Sequence, residues 1–281
     1  MKNTINYINT VNTAHRPLSI IDNLIFEAKS AEGIKKCLIR FYLDYSTSMA
    51  RNRMPVYNTV IETLETLAKK NGEAIDCEFL CQIVFVGDEV KFFTDEPLYP
   101  SQLLEIFHES DYKLEGSTKI GKWIESFDKD YSRSSGYLTK LKEYGYKAFN
   151  IIFTDFMATD DATARYKALD SLKNNTYYPK FSSTLCVFFG PDNKKNEAEA
   201  VAGSADNIVA VSGNLFAYLT PMIIGSTVAI TDATHVNNGT SHEVATDTMG
   251  NIANGESGAS NTKLSPDELA KAMDDILKGT A

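Results

Sequence analysis

The sequence predicts an α/β fold, a doubly wound and mostly parallel sheet with one antiparallel edge strand and helices on both faces. Three observations predict it. Apolar runs at Cys37–Asp44, Tyr146–Thr154 and Thr184–Phe189 are strand-length and do not alternate, as expected of strands buried on both faces. Segments of helical period lie between such runs, which is the signature of helices covering a parallel sheet. Glu78–Val86 and Glu89–Phe93 flank Gly87-Asp88 and read as a hairpin, so one strand runs antiparallel.

The elements follow in order. Residues 1–36 read as a polar lead-in with a helix near Ser19–Ser30. After the strand at Cys37–Asp44 comes a helix over Val56–Lys70, with Val60, Leu64 and Leu67 on one face. The hairpin follows, then a short helix at Gln102–Phe107. Lys119–Phe127 and Leu138–Tyr144 read as helices interrupted near Ser132–Gly136. The Tyr146–Thr154 strand precedes a helix over Ala162–Lys173, and Gly190-Pro191 ends the Thr184–Phe189 strand. Asn196–Gly203 reads as a helix, Asn207–Val211 as a short strand and Gly213–Met222 as a last helix. The sheet domain is therefore assigned to 37–230.

Residues 232–262 are rich in Asn, Gly, Ser, Thr and Asp and nearly free of bulky apolar side chains, so 231–281 is expected to open as a flexible linker. Ser265-Pro266-Asp267-Glu268 then forms a capping box before Leu269, Met273 and Ile276, spaced for one face of a short amphipathic helix.

Composition narrows the functional classes. The chain of 281 residues is 43% hydrophobic and 23% charged with a net charge of -9, which suits one large domain and argues against a nucleic-acid partner. Cys37, Cys77, Cys81 and Cys186 show no zinc-like spacing, and buried free thiols in a reducing compartment are expected. Residues 1–23 lack an apolar signal core. Residues 214–230 are broken by Asn214, Thr220, Pro221 and Ser226, so a packed helix is expected there and not a membrane span. Together these point to a cytoplasmic protein. His15, His108, His235 and His242 follow no pattern, and Trp123 is a core candidate.

Chemistry concentrates at strand ends. The first strand ends in Asp44-Tyr45-Ser46-Thr47-Ser48, which puts three small oxygen donors where the chain turns. Hard cations such as Mg2+ take such ligands. In open parallel sheets, ligands bind beyond the carboxyl ends of the strands. Two further segments offer oxygens at such places: Glu115-Gly116-Ser117-Thr118-Lys119-Ile120-Gly121, a turn opening a helix, and Thr154-Asp155 at the end of a buried strand. Ser46 or Ser48 could instead cap the following helix, Thr118 could cap the helix at Lys119, and Asp160 and Asp161 read as caps of the Ala162 helix.

With Asp44-x-Ser46-x-Ser48, Thr118 and Thr154-Asp155 in this order, the chain resembles the von Willebrand factor A (vWA) domain over roughly residues 37–225. That family has a Rossmann-like fold and carries a metal-ion-dependent adhesion site. The resemblance is finer with bacterial tellurium-resistance-type (TerY-like) members, on Met49, Pro55, Gly116 to Gly121, Thr159-Asp160-Asp161 and Gly190-Pro191-Asp192. It implies a sheet order of 3-2-1-4-5-6. It also implies a metal site of Asp44, Ser46, Ser48, Thr118 and Asp155 for Mg2+ or Mn2+. Its expected partner is a protein that presents an Asp or Glu carboxylate, in a stress-response or defence setting, with a kinase or phosphatase encoded alongside. Thr47 and Phe156 stand where the family has glycine. Phe156 and Met49 are the candidate partner contacts.

Two other readings compete. A haloacid-dehalogenase-type phosphatase would use Asp44 as nucleophile, Thr154 for phosphate and Asp160-Asp161 for Mg2+, but it needs a second Asp where Ser46 stands. The other is a structural scaffold with a degenerate metal site. The expectation is a non-catalytic module.

Overall fold

A computed structural model describes residues 35–73, 77–210, 219–220, 223–224 and 227. The expected helix at Ser19–Ser30, the 231–281 linker and the capping box at Ser265 lie outside these residues.

Among the described residues, six strands form one sheet in the order β3-β2-β1-β4-β5-β6. They are β1 (Lys35–Asp44), β2 (Cys77–Val86), β3 (Val90–Phe92), β4 (Lys147–Thr154), β5 (Ser182–Phe188) and β6 (Ile208–Ala210). Every pairing is parallel except β2 with β3. This is the doubly wound arrangement, with the antiparallel strand at the edge. Sequence reversal of direction occurs between β1 and β4, which are adjacent, so the crevice at their carboxyl ends is the switch point.

Among the described residues up to 210, the α-helices are α1 (Arg53–Glu73), α2 (Pro100–Ile106), α3 (Ile120–Asp130), α4 (Gly136–Tyr144), α5 (Ala162–Lys173), α6 (Tyr178–Phe181) and α7 (Lys195–Ala202). The expected helix at 162–173 matches α5 in both bounds, and the other elements expected up to the last strand agree within a few residues, while the expected helix at Gly213–Met222 lies mostly outside the described residues. The short α6 was not foreseen. Its turn is set by Asn175, whose Oδ1 accepts from the N–H groups of Tyr177 and Tyr178, side-chain chemistry that carries no periodic signal.

The period-2 geometry of β1 explains its apolar run, which only Arg40, paired with Asp130, interrupts. Leu38 and Tyr42 enter one core with Trp123, Ile124 and Phe127 of α3. Cys37, Ile39, Phe41 and Leu43 enter the other with Val56, Val60, Leu64 and Leu67 of α1. Leu219, Ile223 and Ile224 join this second core, on a segment expected to end its helix at Met222. Trp123 is buried, as are the free thiols of Cys37, Cys81 and Cys186.

Candidate metal site

Asp44 ends β1 and Thr154 ends β4, so the parallel pairing sets their side chains together at one edge of the sheet. The Asp44 carboxylate is fully buried. Its Oδ1 accepts from the backbone N–H of Ser46 at 2.9 Å, and its Oδ2 accepts from the Thr154 hydroxyl at 2.6 Å. The Thr118 hydroxyl lies 3.3 and 3.4 Å from the two oxygens. Three segments distant in sequence therefore converge on one carboxylate.

Of the other expected donors, Ser48 touches Ser46 and Asp155 directly follows Thr154. The Ser46 and Ser48 hydroxyls are 3.0 Å apart. Ser46 is buried and Ser48 exposed, so the pair runs from the interior to the solvent. Asp155 is 6% exposed and accepts from the Met157 N–H through Oδ1 at 2.9 Å. It is near enough that its charge helps raise the pKa of Asp44. The main cause of that rise is burial, and hydrogen bonds from Thr154 and Ser46 oppose it. Neither acid has an ion-pair partner among the described residues.

Capping does not account for these hydroxyls. Ser46 precedes a short 3-10 turn at Thr47–Arg51 and makes no side-chain cap. The residue at the cap of α3 is Lys119, not Thr118. Asp161 does cap α5, accepting from the Ala164 N–H at 2.8 Å. Asp160 does not; its Oδ2 accepts from the Gly121 N–H.

The turns are fixed by contacts that spacing does not reveal. Gly116 has φ +69°, and a Cβ there would meet Asp88 Oδ2 at 2.2 Å. Asp88 itself holds the turn, accepting from the Ser117 hydroxyl at 2.7 Å and its N–H at 3.2 Å, which lowers the Asp88 pKa. Gly190 is pressed against the other loop, where a Cβ would come within 2.0 Å of the Asp155 carbonyl oxygen. From below, the Tyr112 hydroxyl donates to the Asp44 carbonyl at 2.7 Å.

The two candidate partner contacts are corrected. Phe156 and Met49 are both 0% exposed. Phe156 has φ +53°, and that left-handed turn folds its ring inward, 5.9 Å from Trp123 and 6.3 Å from Phe188. Met49 packs into the α1 core. Burying an aromatic ring is worth about 1.5–3 kcal/mol, which offsets the cost of about 1–2 kcal/mol for the left-handed conformation at position 156. The exposed apolar neighbour is Met157, at 46%. Sequence reasoning placed Thr154 at the strand end beside Asp155 but did not assign it as a hydrogen-bond donor to Asp44. Its place immediately before Asp155, at the end of a buried strand, was the available signal.

The donor set fits a hard dication. Among the described residues, no three His, Cys, Asp or Glu side chains come together; this site has two carboxylates, and its other donors are hydroxyls. Two buried acids without a cationic partner are unfavourable unless protonated or matched by a positive charge, and small oxygens are what Mg2+ or Mn2+ accept.

No family model matches the sequence, and no curated protein matches it. Solved structures do. Proximal thread matrix protein 1 from the mussel byssus, with a zinc-occupied MIDAS motif, is 14% identical with a TM-score of 0.48, over 68% of this chain and 47% of that one. A von Willebrand factor type A protein from Catenulispora acidiphila is 14% identical with a TM-score of 0.47, over 71% and 42%. The pilus adhesin SpaC from Lactobacillus rhamnosus GG, in its open conformation, is 12% identical with a TM-score of 0.50, over 69% and 30%. The chain spans less than half the length of each. At these identities the likeness concerns the fold alone, and the sheet order found here is the one the vWA resemblance implies.

Proposed function

We propose that this chain is a metal-dependent protein-interaction module of the adhesion-site type. The observation that carries the reading is the convergence of Ser46, Thr118 and Thr154 on the buried Asp44 carboxylate. Ser46, Ser48 and Thr118 would hold Mg2+ or Mn2+ with Asp44 and Asp155, and the ion would offer an open position to an Asp or Glu carboxylate of a protein partner. Exposed Ser48 leaves that side open to solvent, and exposed Met157, whose N–H donates to Asp155, would give an apolar contact. Asp44 and Asp155 keep the negative charge below the surface.

The geometry disfavours the phosphatase reading. Asp44 is locked by its hydrogen bonds and is fully buried. Thr154, the would-be phosphate ligand, donates to Asp44 and accepts from the Phe156 N–H at 3.0 Å. We therefore propose a binding protein without turnover. No helix among the described residues is long and apolar enough to cross a membrane. A cytoplasmic location, a bacterial tellurium-resistance or other stress setting and a kinase or phosphatase partner belong to the proposal on the strength of the sequence resemblance.

A pull-down with the full chain, with and without chelator, tests this reading. The partner should be retained with Mg2+ or Mn2+ and lost with chelator or with Asp44→Ala. A partner retained equally in all three conditions would refute metal-dependent recognition.

A further inference from the structure

Thr118 is held by a neighbouring loop as well as by its own turn. The loop after β4 pairs with it directly, through a parallel bridge between Thr118 and Ala158. The Thr159 N–H and hydroxyl both donate to the Thr118 carbonyl, at 3.0 and 3.2 Å. One residue on, Asp160 Oδ2 accepts from the Gly121 N–H in the first turn of α3. The same loop begins with Asp155. The two arms of the donor set are thus stitched to each other.

Behind the stitch stands an ionic chain whose centre, Arg165 and Glu197, is buried. Arg165 is 6% exposed and lies on α5. Its Nη1 donates to both the carbonyl and Oδ1 of Asp160 at 3.2 Å. Its Nε pairs with Glu197 Oε2 at 2.7 Å, and Glu197 Oε1 pairs with Lys194 Nζ at 3.1 Å. The chain fixes Asp160 from α5 and α7 together. Space is tight as well: a Cβ on Gly121 would lie 2.8 Å from Asp160 Oδ2 and 3.3 Å from the Arg165 Cα. Asp160 does not cap its own helix α5; it satisfies a first-turn N–H of α3 and so ties that helix to the Asp155 loop.

We propose that Asp160 and Arg165 are positioning residues for the metal site, holding the Thr118 turn against the Asp155 loop and so fixing the separation of those two donors. The inference rests on the metal reading above. Partners of metal ligands set ligand orientation, and losing one weakens affinity on the order of tenfold or more.

Calorimetric titration of the full chain with Mn2+ and Mg2+, with no partner present, tests it. Asp160→Ala should weaken binding on the order of tenfold. Asp160→Asn keeps an oxygen for the Gly121 N–H and should recover part of the loss. Arg165→Met separates position from charge. Removing a cation near a dication site favours the metal by simple Coulomb attraction, whereas loss of positioning weakens it. Weaker binding in Arg165→Met supports the proposal; tighter or unchanged binding overturns it. Leu141→Ala, a core change beside Leu38 near the other end of β1, controls for lost stability and should leave affinity unchanged. Equal weakening in Leu141→Ala would make the effect general destabilisation and overturn the proposal. If Asp160→Ala binds as wild type while Asp44→Ala does not bind, positioning fails and the metal site stands. If Asp44→Ala binds as wild type, both fail.

Discussion

The hydroxyl of Thr154 donates to Oδ2 of Asp44 across 2.6 Å, joining the last residues of two adjacent parallel strands. That bond places the buried acid at the switch point of the sheet, with its other oxygen turned toward Ser46 and Thr118. Thr154→Val should retain the fold while leaving Asp44 Oδ2 and the Phe156 N–H without this partner. An unsatisfied buried acceptor costs about 1–3 kcal/mol, so denaturant unfolding should show a loss in that range, with weaker Mg2+ binding. An unchanged midpoint would show that the bond does not matter.

Metal should stabilise the folded chain. By mass action, Mg2+ at about 100 times its dissociation constant adds about 2.7 kcal/mol. Thermal unfolding should rise with Mg2+ or Mn2+ in the wild type and stay flat in Asp44→Ala. Ser46→Ala, Ser48→Ala and Thr118→Ala should each reduce the gain with little effect on the metal-free midpoint. An equal rise in Asp44→Ala would put the ion elsewhere.

Acidity should separate the two states of Asp44. Burial raises its folded pKa above the ordinary 3.8. A raised acid keeps its proton in the folded state where the unfolded chain has released it. Its contribution to metal-free stability is therefore complete below 3.8 and is lost as pH climbs through the folded value. Metal needs the deprotonated form, so stabilisation by Mg2+ should grow through the same window. Unfolding midpoints against pH, with and without Mg2+, check both slopes. Asp44→Asn should remove this component, and an unaltered slope there would assign it to another group.

Phe156→Gly tests the inward aromatic. Glycine adopts φ +53° without strain, which returns about 1–2 kcal/mol. Losing a buried phenyl ring costs about 3–5 kcal/mol. The net expectation is a destabilised protein with altered Trp123 fluorescence. A variant as stable as wild type would mean that the ring contributes little to this core.

Gly190→Ala should disturb the Asp155 loop, because its Cβ would fall 2.0 Å from the Asp155 carbonyl oxygen. Backbone must shift to admit it, at a cost of about 1–3 kcal/mol. Mg2+ affinity should fall with stability, since the displaced residue is a donor. Wild-type affinity and stability together would show that the loop yields freely.

Much of this was legible in the order of residues. Leu38 to Leu43 announce a strand buried on both faces because each side of the sheet meets its own core, and no polar alternation is needed. Asp44, Ser46, Thr118 and Asp155 could be picked out because strand ends and turn openings are local signals, and a parallel sheet brings such ends to one edge. Tertiary structure decided the rest. Phe156 and Met49 stand beside donors in sequence yet point into opposite cores, since one left-handed residue or one 3-10 turn is enough to reverse a side chain. Thr154 became a partner of Asp44 only when β1 and β4 paired. Asp160 reads as a helix cap from its own neighbours, but its acceptor faces Gly121, 39 positions earlier. Local spacing encodes which oxygens can reach a strand end; the packing of α3 against α5 determines which of them stay there.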